Sequence, residues 1–132
     1  MTYKMLVTAG SYKFDELMKF IDNSNLNLNI ICQIGKGEYI PKNYKWVRFQ
    51  EDFEELIKDA DVVITHTGCG TIFECAENNK MTIMIPVPAV VDNHDVARKL
   101  ASEGNSPPMV FVESLEELEE CSLWNLITKV GE

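Results

Sequence analysis

Two hydrophobic patterns alternate along the chain. Short apolar runs rich in β-branched residues predict strands, and unbroken runs of this kind are typical of strands buried on both faces of a sheet. The predicted strands are residues 3–8, 26–34, 45–49, 62–65, 81–85 and 109–112. Between them, apolar residues recur at spacings of three and four, which predicts helices with one buried face. The first such set is Phe14, Leu17, Met18 and Ile21.

Further helices are predicted at about 53–60, 69–78 and 92–103, and a last helical region opens at the capping box Ser114-Leu115-Glu116-Glu117. Regular alternation of strand and helix predicts parallel βαβ units with right-handed crossovers. The expected fold is an α/β, doubly wound, mostly parallel Rossmann-like sheet of about six strands with helices on both faces. No repeat or linker divides the chain, so residues 1–132 are expected to form a single domain.

This architecture predicts where a ligand binds. In open α/β sheets, ligands bind beyond the carboxyl ends of the strands, at the point where the strand order reverses. For the order 3-2-1-4-5-6, strands one and four are neighbours at that point. The loops that leave them are residues 9–13 and 66–71, and the loop after strand five, residues 86–94, lies next to them.

The net charge of the chain limits the kinds of partner that it can bind. The formal net charge is −9, which argues against a nucleic-acid partner because phosphate backbones are held mainly by Lys and Arg. No apolar run reaches the length of a membrane span, and the N-terminus lacks the layout of a signal peptide. The four cysteines show no CxxC spacing, so we interpret them as reduced cytosolic thiols.

The stretch HTGCGTIFE, residues 66–74, lies at the predicted crevice and allows several interpretations. A zinc site would need ligands from His66, Cys69, Cys75 and His94, and the H-x2-C-x5-C spacing of the first three matches no common pattern. Cys69 could be a nucleophile with His66 or His94 as its base, or a small residue in a tight turn. As a dinucleotide fingerprint it lacks the last glycine, because Phe73 stands there, and it follows strand four rather than strand one.

An anion site at the start of a helix fits this stretch better. Gly68 and Gly70 would let the backbone approach a ligand closely, and Thr71 adds a hydroxyl donor. The exposed N–H groups and the helix dipole favour phosphate. Glu74, about one turn later, could accept two hydrogen bonds from a vicinal diol such as that of ribose. The alternative is that the glycines only form a turn and that Glu74 is a surface residue.

Four stretches together resemble the nucleotide-sugar-binding half of GT-B glycosyltransferases of family 28. The similarity is to free-standing subunits of the Alg13 and PssE type and to the C-terminal domain of MurG. It extends over nearly the whole chain. The stretches are VTAGSYKFDELM (7–18), ICQIGKGEY (31–39), ADVVITHTGCGTIFECAENNKMTIMIPVP (60–88) and VVDNHDVARKLASEG (90–104).

The resemblance implies roles for individual residues. Gly10 and Ser11 would form the first phosphate-facing loop, and Glu74 would hold the ribose hydroxyls. The residues that would line the diphosphate are His66, Gly68, Gly70 and Thr71. Those near the sugar would be Asn93, His94 and Asp95. The chain departs from the family pattern at Asp95, which replaces a glutamine, and at Tyr12, which replaces a small residue.

The implied function is that of a UDP-sugar-binding catalytic subunit of a two-component glycosyltransferase. It would transfer N-acetylglucosamine, or another hexose, from UDP to a lipid-linked sugar acceptor. An Alg14- or PssD-like membrane-anchored subunit would supply the acceptor site and the catalytic base, with His94 and Asp95 as candidates on this chain. The resemblance requires no metal or cofactor and implies a cytoplasmic protein that is peripheral to the membrane through its partner.

Two other classes remain open. One is a non-catalytic nucleotide-sugar-binding or regulatory module of the same fold, which the replacement at Asp95 and the acidic surface motivate. The other is a flavodoxin-like or receiver-like signalling domain, for which the loop at residues 9–12 offers neither an acidic cluster nor a flavin-phosphate loop.

Overall fold

All six strands of the protein run parallel in one sheet, in a computed structural model that describes residues 3–87, 94–103 and 108–130. The strands are β1 (Lys4–Thr8), β2 (Asn29–Gln33), β3 (Lys45–Val47), β4 (Val62–His66), β5 (Met81–Ile85) and β6 (Met109–Phe111). The helices are α1 (Asp15–Asp22), α2 (Phe53–Asp59), α3 (Cys69–Glu77), α4 (His94–Ser102), α5 (Leu115–Glu120) and α6 (Ser122–Val130). The strand order is β3-β2-β1-β4-β5-β6, which confirms the predicted topology.

Hydrophobic clusters cover both faces of the sheet. One cluster packs the apolar faces of α1, α5 and α6 against β1, β2, β4 and β5, with Leu17, Met18 and Trp124 among its members. A second joins α2 to β1 and β4, and a third packs α4 and β6 around Met84. Strand β4 is buried along its whole length, as its β-branched run predicts. Each fully buried aliphatic side chain stabilises the fold by roughly 1.5–3 kcal/mol.

The predicted second and third strands are longer than the observed ones. Strand β2 begins at Asn29 rather than Leu26, because Asn25 adopts a left-handed backbone conformation (φ 54°) that turns the chain. Leu26 and Leu28 are apolar because they pack against the core from the connection, outside the strand. Strand β3 ends at Val47, where its ladder with β2 stops.

The last helical region is divided in two. The Ser114 hydroxyl accepts from the Glu117 N–H (3.2 Å), which confirms the predicted helix start. The Glu117 carboxylate in turn accepts from the N–H of Glu113 (2.6 Å). Cys121 is extended (ψ 131°) and ends α5 before α6 begins. Among the described residues, no helix is long and apolar enough to cross a bilayer.

Candidate functional site

A cavity of about 450 Å³ opens beyond the carboxyl ends of β1 and β4, the crevice that the topology predicts. Seven residues singled out from the sequence line it: Gly10, Ser11, His66, Gly68, Gly70, Thr71 and Glu74. They come from the loop after β1, the end of β4 and the first turns of α3. The fold therefore brings together two segments that lie more than 50 residues apart in the sequence.

The His66 side chain forms the floor of this cavity. It is only 8% exposed and is enclosed between two glycines. A Cβ on Gly10 would lie 2.2 Å from His66 Nε2, and a Cβ on Gly68 would lie 2.4 Å from His66 Cε1. Gly10 also has a positive φ of 63°, which other residues rarely adopt. Both glycines are thus required by the packing of the imidazole, a reason that the sequence interpretation foresaw for neither of them.

Gly70 differs from Gly68 in its surroundings. A Cβ there would meet no atom within 4 Å, because the position is exposed and lines the cavity. Its glycine is therefore not required by internal packing.

Alanine substitutions should separate the two glycines. We expect Gly68→Ala to lower the free energy of unfolding by roughly 1–3 kcal/mol, because the His66 ring must move to admit the methyl group. Gly70→Ala is the matched control and should raise it by about 0.5–1 kcal/mol, since alanine is favoured within a helix. Urea unfolding of the two variants checks this pair. Equal stabilities would contradict the packing of His66 against Gly68.

A buried glutamine connects the walls of the cavity. Gln33, 2% exposed at the end of β2, donates through Nε2 to the carbonyl oxygens of Gly10 (2.9 Å) and Arg48 (2.6 Å). Its Oε1 accepts from the Thr8 hydroxyl, which in turn accepts from the Gly10 N–H (3.0 Å). This network fixes the loop after β1 relative to the segment after β3. The side-chain amide is fully used, so Gln33 positions the backbone around the cavity.

The N-terminus of α3 faces the cavity without a side-chain cap. Its N-cap is Gly68 (φ −74°, ψ 125°), which has no side chain to accept a hydrogen bond. Within the described chain, the first intrahelical bond is donated by Ile72 to the Gly68 carbonyl (3.1 Å). The N–H groups of residues 69–71 therefore have no acceptor within the helix. They and the helix dipole favour an anion in the cavity.

One buried carboxylate oxygen of Glu74 has no hydrogen-bond partner among the described residues. Three buried side-chain oxygens among the described residues have no hydrogen-bond partner, on Thr65, Thr67 and Glu74, and only Glu74 lines the cavity. Burial raises the pKa of Glu74 above its ordinary value of 4.5, and the nearby carboxylates of Glu54 and Glu77 raise it further. An incoming hydroxyl donor would satisfy the free oxygen and stabilise the charge.

The predicted sugar-proximal residues are not part of the described cavity. Asn93 lies outside the described residues, and so does the side chain of His94, the first residue of α4. Asp95 is exposed, with Oδ1 at 3.6 Å from Nη1 of Arg98, and does not line the cavity. Their assignment to the sugar therefore stays a prediction.

The surroundings of Cys75 exclude it as a zinc ligand. It is fully buried between α2, α3 and the sheet, and burial raises the pKa of its thiol to about 12. A neutral, inaccessible thiol is neither a metal ligand nor a nucleophile. The side chain of Cys69 lies outside the described residues.

Four lining residues were missed by the sequence interpretation: Gln33, Phe49, Gln50 and Phe53. Phe49 was interpreted as the end of a strand, although its side chain is 57% exposed at the cavity wall. A large apolar residue just beyond the carboxyl end of a strand was the available signal, because that is where this fold binds ligands.

Comparisons with known proteins identify one family of related proteins. Residues 4–117 match the family model of the glycosyltransferase family 28 C-terminal domain. The UDP-N-acetylglucosamine transferase subunit ALG13 of Mus musculus is 26% identical over 77% of this chain and 10% of its own length. A UDP-N-acetylglucosamine–N-acetylmuramyl-(pentapeptide) pyrophosphoryl-undecaprenol N-acetylglucosamine transferase of Prochlorococcus marinus is 34% identical over 86% of this chain and 38% of its own length.

Comparison with solved structures finds a protein of the same kind. The crystal structure of Acinetobacter baumannii MurG superposes with a TM-score of 0.68 at 23% identity, covering 100% of this chain and 42% of that one. The chain spans about a tenth to two fifths of the length of the proteins it matches. Because the family model covers most of the chain and the fold agrees with it, this chain belongs to glycosyltransferase family 28, as a domain of the C-terminal type.

Proposed function

We propose that the chain binds a UDP-sugar, UDP-N-acetylglucosamine first among them, as the donor-binding part of a glycosyltransferase. The observation that carries this proposal is the cavity in which the uncapped N-terminus of α3 and the unpartnered Glu74 oxygen occur together. One feature suits an anion and the other suits a hydroxyl donor, and a nucleoside diphosphate offers both. Related proteins are named as UDP-N-acetylglucosamine transferases, which supports the choice of donor.

The positions of the anion-binding N–H groups and of Glu74 favour one orientation of the nucleotide in the cavity. The diphosphate would accept from the N–H groups of residues 69–71 and from the Thr71 hydroxyl. Glu74 lies four residues beyond Gly70, about 6 Å along the helix axis, and would accept from the ribose hydroxyls. The aromatic wall of Phe49 and Phe53 offers a face on which the base can stack.

In transfer, an acceptor hydroxyl oxygen bonds to C1 of the sugar as the bond between C1 and the diphosphate oxygen breaks. The hydroxyl proton goes to the base, and negative charge develops on the departing UDP. The N–H groups at the start of α3 are already oriented toward that charge, so they stabilise it without reorganisation. The helix dipole contributes in the same direction. The chain thus supplies donor binding and stabilisation of the leaving group.

The acceptor is proposed to be a lipid-linked sugar, held by a membrane-anchored, Alg14- or PssD-like protein subunit that also supplies the base. The described cavity contains one imidazole, that of His66, which packs against Gly10 and Gly68 and forms the floor of the cavity. Such a ring is poorly placed to deprotonate an acceptor across a cleft, and geometry is the first requirement for a general base. We propose a cytoplasmic location, peripheral to the membrane through that partner.

Removal of the Glu74 carboxylate tests the donor site. We expect Glu74→Ala to weaken UDP binding roughly 10- to 100-fold, because a hydrogen bond to a charged group contributes about 1.5–3 kcal/mol. Glu77→Ala, on the exposed part of the same helix, is the matched control and should leave the UDP affinity within about twofold. Isothermal calorimetry measures both. An unchanged dissociation constant for Glu74→Ala would discard the ribose assignment.

Glu74 should also link binding to pH. Its raised pKa means that the folded, unliganded protein holds this proton to higher pH than the unfolded chain does, so stability falls as pH rises from about 4.5 through the raised value. UDP binding should lower that pKa and release protons in the same window. Calorimetry in buffers of different ionisation enthalpy detects the release, and Glu74→Gln should abolish it. Proton uptake on binding would contradict the ionised form as the ligand.

A further inference from the structure

Positive charge is concentrated on one edge of an otherwise acidic protein. Residues 36–48, here called the basic edge, contain four cations and one carboxylate, a net charge of +3 in a chain of net charge −9. The segment comprises most of the β2–β3 connection and the edge strand β3. Its cations are Lys36, Lys42, Lys45 and Arg48.

These cations are available to an external partner. All four side chains are exposed, and none forms an ion pair with a carboxylate among residues 3–87, 94–103 and 108–130. Arg48 donates instead to the Gly37 carbonyl (2.7 Å), and its guanidinium lies 6.0 Å from the centroid of the Trp46 ring. The internal bonds of Arg48 hold the edge together and leave its positive charge unneutralised.

Exposed apolar side chains accompany the charge. Ile40, Trp46 and Phe49 are 37%, 41% and 57% exposed, and they lie within the basic edge or next to it. Lys42, Lys45 and Trp46 line one shallow groove, which is therefore both cationic and apolar.

A bilayer surface suits this combination better than a protein. Trp is enriched at the headgroup level of membranes, and each Lys or Arg near an anionic leaflet is attracted to it. Protein–protein interfaces are depleted in Lys, whereas three of the four cations here are Lys. The acidic residues that follow, Glu51, Asp52, Glu54 and Glu55, oppose docking. Docking must therefore rest on the attraction of the four cations to the anionic lipid, and salt should weaken that attraction.

We propose that the basic edge docks on an anionic lipid bilayer, with Trp46 at the headgroup level. Gln50 lines both the groove of the basic edge and the donor cavity, so docking places that cavity beside the membrane. A lipid-linked acceptor would then be within reach of the bound donor, a consequence that rests on the proposed function. The docking itself rests only on charge and exposure.

Vesicle binding tests the proposal. The full chain should sediment with vesicles of phosphatidylcholine containing about a third phosphatidylglycerol and not with phosphatidylcholine alone, and about 0.5 M NaCl should abolish binding. The triple variant Lys36→Gln/Lys42→Gln/Lys45→Gln should bind the anionic vesicles at least about tenfold more weakly. The matched control is Lys58→Gln/Lys99→Gln/Lys129→Gln, which removes the same charge from exposed lysines elsewhere and should bind as the parent does.

Tryptophan emission gives a second measurement. The chain has two tryptophans, and Trp124 is only 6% exposed in the core, so a blue shift on vesicle addition reports Trp46. Any one of four results would overturn the proposal. These are equal binding to both kinds of vesicle, no binding to either, equal losses of binding in both triple variants, and an unshifted tryptophan emission. UDP titration of the triple variants distinguishes the docking proposal from the donor-binding proposal. These lysines do not line the donor cavity, so both variants should bind UDP as the parent does.

Discussion

Gly70→Val is expected to weaken UDP binding more than about 100-fold while the protein stays folded. A Cβ at position 70 would meet nothing within 4 Å outside the backbone of its own helix, so we expect valine to project into the cavity rather than clash with the fold. It would occupy the space where the diphosphate approaches the N–H groups of residues 69–71. Loss of two or more hydrogen bonds to a charged group, at about 1.5–3 kcal/mol each, accounts for the size of the effect.

Uridine provides the internal comparison for this variant. The nucleoside has no phosphate to lose, so its binding should fall much less than that of UDP. Gly70→Ala adds one methyl group to the same position and should give an intermediate loss with increased helix stability. Equal losses of UDP and uridine, with thermal stability retained, would show that the start of α3 does not hold the diphosphate.

The purified 132-residue chain is expected to transfer no sugar by itself, although it binds the donor. Its cavity is lined on the open side by exposed residues, among them Ser11, Phe49 and Gly70. The related MurG structure is more than twice as long as the part this chain covers, so we expect residues outside these 132 to hold the acceptor. Loss of a general base alone costs about 100- to 10,000-fold, and loss of acceptor positioning adds to it.

The assay is transfer of labelled N-acetylglucosamine to a polyprenyl-diphosphate-linked acceptor, with and without a co-expressed membrane-anchored subunit. We expect at least about 1000-fold faster transfer in the complex than with the chain alone. Glu74→Ala in the complex should raise the KM for UDP-N-acetylglucosamine, which shows that this chain supplies the donor site. Robust turnover by the chain alone would contradict the two-component proposal and would favour a base among His66, His94 and Asp95. A chain that binds neither UDP nor UDP-sugars would instead favour a module that has lost this function.

The local features of the protein could be predicted from its sequence. Strand positions follow from short apolar runs rich in β-branched residues, and helix positions follow from apolar residues at spacings of three and four. Both patterns depend only on neighbours along the chain. The strand order follows from the alternation of elements, because right-handed crossovers leave few topologies. Placement of the stretch at 66–74 in the crevice then follows from the general rule for ligand sites in such sheets.

Element ends were less predictable, for a physical reason. Leu26 and Leu28 have the apolar character of strand residues, yet they pack against the core from a connection. Apolar character records burial, and burial does not require a strand. The left-handed Asn25 decides where β2 can begin, and asparagine allows that conformation without requiring it.

Tertiary packing controls how residues far apart in the sequence share space at the site. Gly10 and Gly68 must both be glycine because a Cβ at either position would collide with the imidazole of His66. Gln33 positions the cavity because its amide reaches backbone carbonyls on two separate loops. The segments that meet at the crevice could be read from the amino-acid sequence, since hydrophobic pattern and chain direction are local properties. Contact distances, desolvation of Glu74 and exposure of Phe49 depend on non-local packing, and no pattern along the chain contains them.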